Sequence, residues 1–285
     1  MGRVKIMTDS TADLPQWMYD EHDIAVIPLY VIFDGQEAYK QDVEMSKRDF
    51  YSRMRKIKAL PKTAQPTPDE FLEYYKRLTE DGSSLISIHI SGKMSGTAQS
   101  ARLAASSLPE RDIVIVDSAQ VSACLGLVVE GAARAAGAGR SKEEILALID
   151  RLKEMVRVYF IVDSLEYLHK GGRIGAASSL IGNLLSIKPV LDIKNGLIAP
   201  VEKIRGKTKA LERIAQLLEA ETRKHGPMRY LLCHAGQESD LEVWRGLLFP
   251  RISYSSCEDI ELGGVVGAHA GPGTMAVFFT PEYEV

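Results

Sequence analysis

Cysteine is scarce. The three that occur, Cys124, Cys233 and Cys257, stand far apart and form no CxxC pair. This excludes a disulfide framework and reads as reduced thiols in a cytoplasmic protein. Zinc-ligand spacing is missing too, because the six histidines include no HxxxH or HxH pair. The longest uncharged stretch, Leu262 to Pro281, carries five glycines and two prolines, so no transmembrane helix is expected. An acid at position 9, with no apolar run before it, argues against a secretory leader. Neither sign of charge dominates: 35 Lys plus Arg against 38 Asp plus Glu leave a net charge of −3. That excludes the electrostatic footprint of a general nucleic-acid binder. What remains is a 285-residue chain with 45% apolar and 26% charged residues. It is long enough for one large or two ordinary globular domains and too apolar to be disordered.

Strand and helix signals alternate in the first half. Val4 to Met7, Ile24 to Phe33, Leu85 to Ile90 and Ile113 to Val116 are apolar strand-like runs. Pro28 should break the second of these, and Asp34-Gly35 is a turn signal. Helical patterns cover Asp69 to Leu78 behind a Thr67-Pro68 cap, then Ser95 to Ser107 and Val121 to Ala136. This order predicts βαβ units around a parallel, doubly wound-like sheet. Small residues from Ala136 to Ser141 precede a helix over Lys142 to Met155. We therefore expect two α/β domains, 1–155 and 156–285. In the second, a strand over Val158 to Val162 precedes a hairpin over Leu191 to Ile198. Asn195-Gly196 supplies the two positive φ angles of a type I′ turn. A helix over Lys207 to Lys224, a strand from Arg229, a helix from Ser239 and two closing strands predict a mixed sheet.

Hydroxyls crowd the ends of the predicted strands: Thr8-Asp9-Ser10-Thr11, Ser91-Gly92-Lys93-Met94-Ser95-Gly96-Thr97 and Asp117-Ser118. Thr63-Ala64-Gln65-Pro66-Thr67 adds a loop before a helix. The ordinary work of such residues is capping. Their convergence beyond the carboxyl ends of one sheet also suits a small anion. Residues Gly92 to Thr97 are not a P-loop, since the glycines are one residue too close and no lysine follows the second. Nor are they a GxSxG elbow, which would need glycines at 93 and 97. One carboxylate or a small polar head fits better than a polyphosphate. Cations come from the second half, in Lys170-Gly171-Gly172-Arg173 and in Lys203-Ile204-Arg205-Gly206-Lys207. His269 is expected on a glycine-rich turn with room for a ligand, and His234 is read as structural.

These motifs together resemble the DegV family of bacterial fatty-acid-binding proteins, the acyl-carrier component of fatty acid kinase. The resemblance runs through Thr8 to Leu14, Thr63 to Phe71, Ser91 to Thr97, Tyr167 to Ile174, Ile187 to Leu191, Arg205 to Ala210 and His269 to Gly273. It implies one long-chain fatty acid held between two α/β domains, with no further cofactor. It implies that Thr63, Ser95 and the amide of Gly96 hold the carboxylate. Arg173, Arg205 and His269 would lie near the head group or on a partner-docking surface. Gly92 departs from the pattern, since many relatives carry a second serine there. The acyl channel is then expected along Leu180, Ile181, Leu184, Leu185 and Ile187.

The implied role is to present the carboxylate to a separate ATP-dependent kinase and carry the acyl phosphate toward phospholipid synthesis. Membrane contact would be transient, because no basic amphipathic helix stands out. An alternative is a serine-dependent esterase or acyl transferase built from Ser95, His269 and an acid such as Asp9. A sugar- or nucleotide-phosphate binder would rest on fold analogy alone.

Overall fold

The computed structural model describes residues 3–57, 59–180 and 188–285. β1 (Val4–Asp9) leads into a 3-10 turn over Ser10–Ala12 and a short helix, α1 (Gln16–Glu21). Pro28 splits the next apolar run as expected. β2 (Ile24–Ile27) lies parallel to β1, whereas β3 (Tyr30–Phe33) leaves that sheet. It turns through Asp34 and Gly35, both at positive φ, into β4 (Glu37–Lys40). Then follow α2 (Lys47–Met54), β5 (Lys62–Ala64), α3 (Pro68–Leu78), β6 (Ser84–His89), α4 (Thr97–Ser106) and β7 (Ile113–Asp117). α5 (Ala123–Gly137) and α6 (Lys142–Met155) close this half.

The first sheet runs β2-β1-β6-β7, and every neighbouring pair is parallel. From β1 the chain goes first to one side and then to the other. The topological switch point therefore lies between the carboxyl ends of β1 and β6, where α/β sheets bind ligands. On one face, Phe71 and Tyr75 of α3 and Ala101 and Ala104 of α4 pack against Met7 and Leu85. On the other, α5 covers Ile6, Ile86 and Ile88. α5 is buried on nearly every side, which its run of Ala, Leu, Val and Gly permits. β3, β4 and β5 form a separate antiparallel ribbon in the order β4-β3-β5.

The second half contains β8 (Arg157–Ile161), α7 (Glu166–Lys170), a 3-10 segment over Gly175–Leu180, β9 (Val190–Lys194) and β10 (Leu197–Glu202). α8 (Lys207–His225), β11 (Met228–His234), α9 (Ser239–Leu248), β12 (Tyr254–Glu261), α10 (Gly264–Ala270) and β13 (Met275–Pro281) complete it. The six-stranded sheet has the order β10-β9-β8-β13-β11-β12. It is mixed, because only β11 and β12 pair in parallel. α8 and α9 cover one face, with Leu218 and Trp244 packed on Tyr230, Val277 and Phe279. The opposite face, with Val158, Phe160, Ala276 and Phe278, shares one apolar cluster with α5 and the first sheet. The core thus runs unbroken from one half to the other.

Candidate ligand-binding site

A cavity of about 300 Å³ lies within that shared core. Leu29, Ile90, Met94 and Val121 wall it from the first half. Val158, Phe160, Ile193, Ile198, Ala276 and Phe278 wall it from the six-stranded sheet, and Leu262, Val265, Val266 and Ala270 from α10 and its approach. Polar side chains enter the wall at a few points, chiefly Thr63, Gln65, Ser95, Arg173 and His269. Four residues expected at the site from sequence, Thr63, Ser95, Arg173 and His269, therefore meet on one cavity.

Each is placed by its element. Thr63 is the middle residue of β5, opposite Val31 of β3, so the site threonine sits on a strand and not in the loop expected before α3. Ser95 precedes the N-terminus of α4, and its amide donates to Ser91 O at 3.0 Å. Its hydroxyl lies 2.8 Å from the Thr97 hydroxyl. Arg173 follows the left-handed Gly172. It reaches across the two halves, with Nε donating to Met94 O at 3.0 Å and an Nη1 bond to Gly171 O at 2.7 Å. His269 lies in the last turn of α10 rather than on the expected glycine-rich turn; that turn begins only at Gly271.

His269 Nε2 is 2.8 Å from Thr63 Oγ1, while Nδ1 is sealed from solvent with no partner among the described residues. Gly171 packs so closely against Nδ1 that a Cβ there would overlap it. Burial, with the Arg173 guanidinium adding to it, pushes His269 down to about 4. The ring is thus neutral near pH 7 and carries one proton. We assign that proton to Nε2, because an orphaned buried N–H is costlier and rarer than a bare acceptor. Nε2–H then donates to Thr63 Oγ1, which leaves the Thr63 O–H free to donate into the cavity. Thr97 can likewise donate to Ser95 and free the serine proton. Thr63 and Ser95, both on the cavity wall, thus each have a hydroxyl proton free to donate.

The other expected residues fall elsewhere. Gly96 is the N-cap of α4, and the Gln65 side chain packs over it; it is not part of the cavity wall. Arg205 is exposed, just before α8, and away from the cavity. Leu180 is buried in the core but does not line the chamber. Ile181, Leu184, Leu185 and Ile187 lie outside the described residues. Among the described residues, much of the apolar wall comes from the six-stranded sheet, whose alternating strands gave no sign of which face lines a cavity.

The triad of Ser95, His269 and Asp9 is not assembled. Asp9 is fully buried and accepts from Thr11, from Ile90 N–H at 3.0 Å and from His89 Nδ1 at 3.0 Å. His89 in turn meets Ser87, which meets Tyr75, in a sealed chain. Most of the strand-end hydroxyls tie loops together: Ser91 donates to Gly196 O, Ser118 to His89 O and Ser122 to Asp13. Among the described residues no group of three His, Cys, Asp or Glu could hold a metal ion, and no helix is long and apolar enough to cross a membrane.

Fold and site define an α/β protein with a largely apolar internal cavity whose wall carries Thr63, Ser95, Arg173 and His269. The chain belongs to the DegV family: the model for the uncharacterised proteins of that family matches residues 3–282. A DegV domain-containing protein of Deinococcus radiodurans is 38% identical over 279 residues, covering 98% of each chain. Among solved structures, the fatty-acid-binding DegV family protein of Thermus thermophilus superposes with a TM-score of 0.91 at 35% identity, covering 98% of this chain and all of that one. DegV of Bacillus subtilis, described as a fatty acid binding protein, superposes at 0.88 with 34% identity, over 99% and 100% of the two chains.

Proposed function

We propose that this chain binds one long-chain fatty acid, with the tail in the chamber and the carboxylate at Thr63 and Ser95. The observation that carries the reading is the chamber itself: mostly apolar walls, with Thr63 and Ser95 among the few polar side chains on them. Each methylene buried contributes roughly 0.8 kcal/mol, so a dozen supply about 10 kcal/mol before the costs of binding. The polar side chains then need only to keep the carboxylate from being buried unpaired, which two hydroxyls achieve. A neutral His269 suits this role, since it orients Thr63 without placing a buried charge. The fatty acids named for the relatives from Thermus thermophilus and Bacillus subtilis support the same ligand class.

We further propose that the chain presents the carboxylate to a separate ATP-dependent fatty acid kinase and carries the acyl phosphate onward to phospholipid synthesis. The sequence holds no P-loop, so phosphorylating machinery would come from a partner. Arg173, on the cavity wall, and exposed Arg205 would serve that docking, with transient membrane contact for exchange and a cytoplasmic location. The two halves, 1–155 and 156–285, act in this reading as the head-group and acyl-chain domains. Thr63→Ala and Ser95→Ala should each weaken binding of a fluorescent long-chain fatty acid by about 1–3 kcal/mol, read by titration. Arg173→Ala and Arg205→Ala should reduce kinase-dependent phosphorylation more than binding. Unchanged affinity in the Thr63→Ala/Ser95→Ala double variant would place the carboxylate elsewhere.

A further inference from the structure

Four side chains of the first half grip a five-residue stretch of the second. Lys47 Nζ donates to Glu261 O at 2.8 Å and the Tyr51 hydroxyl to Leu262 O at 3.0 Å. Asp13 Oδ1 accepts from Gly263 N–H at 3.1 Å, and Gln41 Oε1 accepts from Val265 N–H at 2.7 Å. This stretch is the entry to α10. The first amides of a helix have no partner within it, and an N-cap side chain ordinarily supplies one. Gly263, the N-cap here, has no side chain to offer. The caps come instead from residues 250 and 224 positions away. They fit closely, since a Cβ on Gly263 would overlap Asp13 Oδ1 and crowd the Gln41 amide. They are also braced. Gln41 Nε2 donates to Ser10 O at 2.7 Å, and Asp13 Oδ2 accepts from the Ser122 hydroxyl at 2.7 Å.

A seven-residue helix containing Gly264 and Gly267 cannot hold its own geometry by propensity. Its place is set by what grips it. α10 carries Val265, Val266, His269 and Ala270 on the chamber wall. At 1.5 Å per residue, His269 stands about 9 Å along the helix from Gly263. We propose that Asp13 and Gln41 are positioning residues: a helix cap supplied by one half to the other, which fixes α10, holds His269 on Thr63 and keeps the chamber closed around its occupant. The last element of this proposal rests on the fatty-acid reading, whereas the cap does not.

The test is an NMR titration of the His269 ring in the delipidated full-length chain. Wild type should titrate at about 4. In Gln41→Ala and Asp13→Ala the loosened helix lets water reach the ring, and its pKa should rise by one unit or more. Asp13→Asn keeps an oxygen acceptor for Gly263 N–H and should titrate as wild type does. Dissociation of dansylaminoundecanoic acid should be roughly tenfold faster in Gln41→Ala, as expected for loss of one buried hydrogen bond. A loss of global stability alone would leave the ring titration of the folded protein unmoved. A wild-type titration in Gln41→Ala overturns the proposal, as does Asp13→Asn behaving like Asp13→Ala. If Asp13→Ala does not fold, Gln41→Ala decides. Failure of the wild type to bind the dansyl probe, with the ring shift intact, would refute the fatty-acid reading and leave the cap standing.

Discussion

Asp13 and His269 are buried titratable side chains displaced in opposite directions. Burial pushes the Asp13 carboxyl up to about 7, against the lowering effect of Lys47, Ser122 and the Gly263 amide, while Asp42 adds to the rise. The raised carboxyl binds a proton in the folded state that the unfolded chain releases, so its contribution to stability grows as pH falls from about 7 toward 4. His269 does the reverse. Its folded pKa lies below its unfolded value, so stability is lost as pH falls through about 6.5 toward 4. Asparagine at position 13 removes the first effect and keeps the second. Between pH 7.5 and 5, Asp13→Asn should therefore fare worse than wild type by about 2 kcal/mol, at 1.36 kcal/mol per pKa unit. Urea melts at the two pH values measure this, and parallel curves for the two proteins would contradict it. Thr63, Ser95, Arg173 and His269 were picked out by the short motifs that carry the family resemblance, and all four line the cavity. Asp13, Gln41 and the Asp9–His89 pair were not, since their partners lie between 80 and 250 residues away and leave no local pattern.

Helices and hairpins with their own punctuation were readable. Asn195-Gly196 does turn β9 into β10 at positive φ, and Gly196 meets Ser91 at the joint of the two halves. α6 begins at Ser141 with a complete capping box, in which Ser141 Oγ accepts from Glu144 N–H and Glu144 accepts from Ser141 N–H at 2.8 Å. Ser141→Ala should cost about 1 kcal/mol in a urea melt, and Ser141→Gly only a few tenths. Equal losses would show that the box adds nothing beyond backbone freedom. α10 was missed for the opposite reason. Gly267 to Gly273 reads as a glycine-rich turn, and the helical form reached there rests on the caps that Asp13 and Gln41 supply from the other half. α2 was also overlooked, although Ser46 caps it through Asp49, because its apolar spacing is weak.

At the scale of the whole molecule, alternation of strand and helix was enough to foresee the parallel sheet, and the hairpin signal foretold antiparallel pairing in the second. The chamber was not foreseeable in the same way. Val158, Phe160, Ala276 and Phe278 look like ordinary core strands, and only the way one face of the six-stranded sheet meets α10 and the first sheet's rim leaves space among them. The central claim is that this space holds hydrocarbon. Organic extraction of the purified protein followed by mass spectrometry tests it most directly. About one long-chain fatty acid per chain is predicted from wild type, and much less from the Thr63→Ala/Ser95→Ala double variant. Several wild-type preparations free of lipid, or equal lipid in the double variant, would contradict the account.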